Sequence, residues 1–224
     1  MSEGQIQEYR KYLSYEVHQL TSYITLYRTL HERKNDRIEE MNMAPAFFGI
    51  AIDAIYVSII LWTSNLFSPR SERGFLNFLT MIENNIGIFS KKSVMKRKNI
   101  AKDDLLFRRG QWKALSVKEI SGFKDEISEN LILRKFEHRR DKFYAHFDKK
   151  YFFNRKRLSE DAPLTWNELD EIKSLASRIF NKCSTAFDGT HQEFEVININ
   201  DVNGLLDIVK EYREELDAKI QSHT

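Results

Sequence analysis

Cysteine is nearly absent: Cys183 stands alone in 224 residues. That excludes an intramolecular disulfide and suits a reducing, cytoplasmic setting. With no second thiol, and with six scattered histidines, none at a His-x-x-x-His spacing, neither a metal site nor a cofactor is expected. Proline and glycine are also scarce, three and eight residues respectively, so the chain has few points at which a helix must stop. Long Leu, Ile and Phe periodicities run between those points, which indicates an all-α protein. Neither sign of charge dominates. A net charge of +2 excludes a general nucleic-acid coat, and any anion binding has to come from local patches. Met1 to Arg10 is polar and offers no apolar segment of a secretory signal.

One hydrophobic run stands out. Ala46 to Trp62 is apolar except for Asp53 and Ser58, close to the length of a membrane span. A mid-segment Asp would cost about 2.5 to 3.5 kcal/mol in a bilayer, so no membrane is expected. The run reads instead as a buried central helix, opened by Pro45 in its first turn and reaching about Leu66. Asp53 within it either bonds a neighbouring helix or pairs with an arginine. Before it, Ile6, Tyr9, Leu13, Val17, Leu20, Ile24 and Tyr27 step by three and four, the pattern of a long amphipathic first helix. After it, Ser71 and Glu72 open a third helix carrying Phe75, Phe78, Leu79, Ile82 and Ile86, ended by Gly87. Ser116 and Glu119 have capping-box spacing and open a fourth helix that runs on through Arg139. Thr165 and Glu168 repeat that spacing for a helix to about Phe187, closed by Gly189. Glu195 to Asn200 alternates weakly, as a short strand or an extended arm, before a last helix capped by Asn200 or Asp201. No repeat or long linker divides the chain, so a single domain over residues 1–224 is expected.

Two segments are basic. The stretch at about 90–115 holds Lys96, Arg97 and Lys98 within a longer run of cations, and it reads either as a solvated loop or as a surface for phosphates. The stretch at about 149–163 interleaves Lys149 and Lys150 with Tyr151, Phe152 and Phe153. Cations beside aromatics suit a single-stranded nucleic acid, whose phosphates pair and whose bases stack. Aromatics filling the core of a loop would look the same.

Between these segments lies Arg139-Arg140-Asp141-Lys142-Phe143-Tyr144-Ala145-His146-Phe147-Asp148. On a continuous helix at about 100° per residue, Ile132, Phe136, Phe143 and Phe147 share one sector, with Arg139 inside it and Arg140 and His146 at its edges. A guanidinium there needs an anion, a cleft or a second subunit. Asp148 would point away from the sector unless the helix breaks first.

The string from Arg140 to Asp148 resembles the signature of HEPN domains, in particular the AbiU-like abortive-infection branch: an Arg, then Asn or Asp, commonly Lys, and an Ala-His ending followed by Asp. The resemblance implies an all-α, HEPN-like helical bundle with a long N-terminal helix, a buried central helix and additional C-terminal helices. It also implies a metal-independent endoribonuclease, usually a homodimer, serving as a toxin or antiviral effector in abortive infection. On that basis Arg140 and His146 are the expected catalytic residues, with Asp141 orienting one of them. Arg139, Lys142, Lys149, Lys150, Lys96, Arg97 and Lys98 are the expected RNA contacts. RNA, a second copy of the chain and an antitoxin protein are the implied partners. Some HEPN proteins carry a tyrosine two residues after the histidine that an antitoxin modifies, whereas this chain has Asp148 there. The competing reading is a catalytically idle HEPN module that binds RNA, a nucleotide or a protein.

Overall fold

The computed structural model describes residues 2–144 and 148–222 and is all-α, with no strand among those residues. The chain, read from sequence as one domain, divides into two compact units: Met1–Leu20 with Ile60–Phe194, and Thr21–Ile59 with Glu195–Thr224. Two long helices contribute to both, α1 (Glu3–Asp36) and α3 (Pro45–Phe67).

In the first unit the expected stripe of α1 is the buried one, with Ile6, Leu13, Val17 and Leu20 withdrawn from solvent. Each such side chain contributes about 1.5 to 3 kcal/mol of burial free energy. The C-terminal part of α3 adds Ile60, Leu66 and Phe67 to this interior. The third expected helix starts later than Ser71: α4 (Phe75–Glu83) begins after Gly74, and a 3-10 turn follows at Ile86–Phe89. Gly74 is required there, because a Cβ would stand 2.7 Å from the Leu66 carbonyl oxygen.

The basic stretch after it opens as a helix, and only residues 99–104 and those from 109 on are loop. Ser90 caps α5 (Lys91–Lys98), accepting from the Ser93 amide at 3.3 Å, and Asn99 ends the helix in the left-handed region. Val94 buries itself completely and fixes the helix to the core. A single turn, α6 (Leu105–Arg108), follows, capped by Asp104. Both expected capping boxes form, Ser116 with Glu119 on α7 (Val117–Glu129) and Thr165 with Glu168 on α11 (Trp166–Asp188). α7 packs on α4, and α11 packs on α5 and on α8 (Leu131–Arg139). Gly189, at φ 76°, ends α11 where a Cβ would run into the Leu106 side chain.

The second unit holds the rest of α1, the short α2 (Ile38–Met41), the first part of α3 and α12 (Asp201–Ser222). Leu30, Met41, Phe48 and Leu206 form its core, with Ile52, Ile55 and Val202 packed around them. The Glu195–Asn200 segment is neither strand nor helix; it ends in a turn with Asn198 at φ 69°. The central helix is also not buried throughout. Among the described residues α3 is the one helix long and apolar enough to cross a bilayer, yet only 22% of its most apolar window is buried. Phe47 and Ile50 lie open to solvent, and burial is concentrated at Ile59 and beyond. Asp53 is exposed and has no ion pair among the described residues.

Candidate active site

The fourth expected helix does not run continuously into the Arg139–Asp148 string. It breaks at Asn130, whose extended backbone ends α7 and whose side-chain oxygen accepts from the amides of Ile132 and Leu133 at 2.9 and 3.0 Å, starting α8. An Asn at this position satisfies two otherwise orphaned donors, so the break costs little. On α8, Leu133, Phe136 and Arg139 recur every three residues and all are buried. The helix then widens into a π-helical turn at Arg140–Tyr144. Such turns hold an extra residue per turn and recur at functional sites. Within this turn Phe143 stays buried, as expected for the packing face.

Arg139 is 4% exposed, and its Nε donates to the Ala162 carbonyl at 2.7 Å. The expectation that it contacts RNA is therefore corrected: burial on the interior face of α8 makes it a tie to the segment before α11. Arg140 is different. Its Nε donates to Asp141 Oδ1 at 2.7 Å, and its side chain keeps 18% exposure against 44% for Asp141. That bond engages one edge of the guanidinium and leaves its terminal nitrogens for another acceptor. Lys142 is half-exposed, with Nζ 3.9 Å from Asp148 Oδ2.

Asp148 closes the string. Its amide donates to the Lys142 carbonyl at 2.8 Å, and its Oδ1 accepts from the Lys150 amide at 3.0 Å as the cap of α9 (Lys149–Phe152). Asp148 is itself outside a helix and opens the next one. His146, with Ala145 and Phe147, lies outside the described residues.

The basic aromatic segment is two short helices, α9 and α10 (Arg155–Asp161). Its aromatics divide: Tyr151 is buried with Phe143 and Leu158, whereas Phe152 and Phe153 are exposed. The Tyr151 hydroxyl donates to Asp161 Oδ2 at 2.8 Å. Its one proton being used there, it accepts from His138 Nε2 at 2.9 Å and from Lys150 Nζ at 3.2 Å. Lys150 also pairs directly with Asp161, a hydrogen bond that holds the Asp161 carboxyl below its ordinary range, with Tyr151 adding to it. The same bond raises Lys150. Lys150 thus joins this network while staying exposed, as Lys149 does.

The expected contacts on α5 separate as well. Lys96 and Lys98 are exposed. Arg97 turns inward: its guanidinium lies 3.7 Å from the centre of the Phe187 ring, its Nη2 donates to the Ile88 carbonyl at 2.8 Å, and it pairs with Glu3. These partners hold its side chain inward at 13% exposure. α5 packs chiefly on α11 and the preceding 3-10 turn, whereas the Arg140 turn packs on α8 and α9. Sequence reasoning missed the network of His138, Tyr151 and Asp161, since residues 13 and 10 apart carry no local signal of a contact.

Arg140 and Asp141 thus form a polarised, partly open pair on a widened helical turn, with exposed Lys142 and Lys149 close in sequence. Such a pair suits an oxyanion or a phosphodiester. No cluster of three or more His, Cys, Asp or Glu side chains among the described residues is arranged to hold a metal ion. Comparison with known proteins adds one finding: the AbiU2 family model of HEPN domains matches residues 6–208, nearly the whole chain and both of its units. Neither the curated proteins nor the solved structures give a match. The protein therefore belongs to the AbiU2 family of HEPN domains and is an abortive-infection-related HEPN protein.

Proposed function

We propose that this chain is a metal-independent endoribonuclease acting as a toxin or phage-defence effector, with Arg140, His146 and Asp141 as its working residues. The observation that carries the reading is the Arg140–Asp141 pair at 2.7 Å on the π-helical turn, six residues before a histidine, within the family match. Cleaving RNA without a metal needs a base for the 2′-hydroxyl proton, an acid for the departing 5′-oxygen and a cation for the crowded phosphoryl charge. Arg140 binds the phosphate bidentately while Asp141 fixes the guanidinium through Nε. His146 takes the 2′-hydroxyl proton. The 2′-oxygen attacks phosphorus, the bond to the 5′-oxygen breaks, and a proton delivered to that oxygen completes the step. The products are a 2′,3′-cyclic phosphate and a 5′-hydroxyl. One chain supplies one such histidine, so a homodimer provides base and acid together. Exposed Lys142 and Lys149 and the solvent-facing rings of Phe152 and Phe153 supply phosphate and base contacts for a flexible single strand. The test is purified protein on labelled RNA: His146→Ala abolishes cleavage while leaving the helical circular dichroism unchanged, and cleavage retained by that variant would remove the assignment.

A further inference from the structure

A groove of about 1060 Å³ runs along the first unit, between the N-terminal half of α1 and a wall made by the end of α3, the turn after it and α4. We propose that it docks an arginine-bearing amphipathic helix of a protein partner, an interaction beyond the nuclease reading and independent of it. Three observations converge.

The first is a built aromatic lining. Tyr9 stacks on Phe78 with ring centres 5.3 Å apart, and its hydroxyl donates to the carbonyls of Glu72 and Gly74 at 3.0 and 3.1 Å. These bonds tie α1 to the opposite wall. A groove fixed before its partner arrives loses little free energy to ordering on binding. Tyr12, 64% exposed, and Met81 add apolar surface above the buried Leu13 and Leu66.

The second is charge. Glu8 and Glu16 edge the groove on α1 and Glu72 edges it on the other side. No ion pair answers any of the three among the described residues, nor does one engage Arg73, the one cation on the lining. Elsewhere in the same unit Glu3, Glu83, Glu119, Glu126, Glu168 and Asp188 are each answered by a Lys or Arg of this chain. The unit as a whole is positive. A negative groove within it repels phosphates and complements a cationic partner.

The third is spacing. Glu8, Tyr12 and Glu16 recur every fourth residue on α1, so the exposed ring lies about 6 Å along the axis from each carboxylate. A guanidinium can stack on such a ring while its edge pairs with a carboxylate, a combination that suits arginine better than lysine. Glu8 and Glu16 lie about 12 Å apart along the axis, which matches two arginines two turns apart on a helix laid beside α1. Apolar residues between those arginines then meet Tyr12 and Met81, the helix-in-groove mode of recognition. A polyamine would engage the carboxylates and leave the apolar surface uncovered.

The test is fluorescence anisotropy of a labelled helical peptide, with two arginines two turns apart and leucines between them, titrated with the full-length protein. Saturable binding is expected. Glu8→Gln/Glu16→Gln weakens it about tenfold and Tyr12→Ala about threefold, with the helical circular dichroism of both variants unchanged. Should the double variant misfold, Glu72→Gln on the opposite wall carries the comparison, since the bonds to Tyr9 use the Glu72 backbone. No saturable binding, equal binding of a peptide with glutamines in place of the arginines, an affinity indifferent to the carboxylate variants, or spermine binding as tightly as the peptide overturns the proposal.

Discussion

Adjacent arginines, Arg139 and Arg140, do opposite work, and the difference is one of surroundings. Arg139 is buried and donates to the Ala162 carbonyl; truncating it strands that carbonyl, at a cost of about 1–3 kcal/mol. Arg139→Ala is thus expected to lower the urea midpoint of unfolding. Arg140→Ala is expected to leave that midpoint within about 0.5 kcal/mol, because a half-open ion pair contributes little to stability, and to abolish RNA cleavage. Equal destabilisation by the two variants in a denaturant titration would contradict the division. Glu119 gives a second residue-scale expectation. A hydrogen bond from Lys182, together with the Ser116 cap, holds its carboxyl down at about 2 against an ordinary 4.5. A folded-state value below the unfolded one means that its stabilisation is complete above about pH 4.5 and fades as pH falls toward 2. Its side chain is 40% exposed, so screening limits the effect to about 0.5–1 kcal/mol. Glu119→Gln keeps a hydrogen-bonding side chain and loses the charge; its stability is expected to fall less steeply than that of the wild type between about pH 5 and pH 3, measured by urea unfolding at each pH.

Among the elements, the segment from α8 to α10 is held by polar ties as much as by packing. Tyr151 joins His138 on α8 to Asp161 at the end of α10, over a small core of Phe143 and Leu158. Tyr151→Phe keeps the ring and removes the hydroxyl, so it is expected to cost about 1–2 kcal/mol and to speed amide exchange in α9 and α10 ahead of α11. Unchanged exchange there would show that packing alone holds the segment. These ties explain what the sequence could and could not disclose. Local chemistry was legible: the α1 stripe, Pro45 opening α3, both capping boxes and Gly189 after α11 follow from residues within a few positions of each other. The helix at Lys91–Lys98 was concealed by its charge, although Ser90 and Asn99 mark its ends and Val94 anchors it. The break at Asn130 was concealed because Asn serves equally inside a polar turn and at a cap. The burial of Arg139 and Arg97 and the network around Tyr151 depend on residues 10 to 90 positions away, and no local pattern reports such contacts. At the site, the motif residues were legible through resemblance, whereas the π-helical turn that aims Arg140 was not.

For the whole molecule, near-neutrality conceals an uneven distribution of charge. The second unit carries seven Lys and Arg against twelve Asp and Glu, whereas the first carries 28 against 21. An anionic polymer is accordingly expected to favour the first unit, which also holds the Arg140 turn. RNA affinity is expected to fall as salt rises, with a log–log slope of about −0.7 per phosphate neutralised on a single strand. Lys149→Ala is expected to flatten that slope by about 0.7, as followed by fluorescence anisotropy; a slope indifferent to this change would separate the basic segment from RNA binding. The most direct test of the central claim is the chemistry of the cut ends. Labelled RNA incubated with the purified protein in EDTA is predicted to yield 2′,3′-cyclic phosphate and 5′-hydroxyl termini, and none with Arg140→Ala or His146→Ala. Cleavage that requires a divalent ion, leaves 5′-phosphates, or persists in either variant would contradict it.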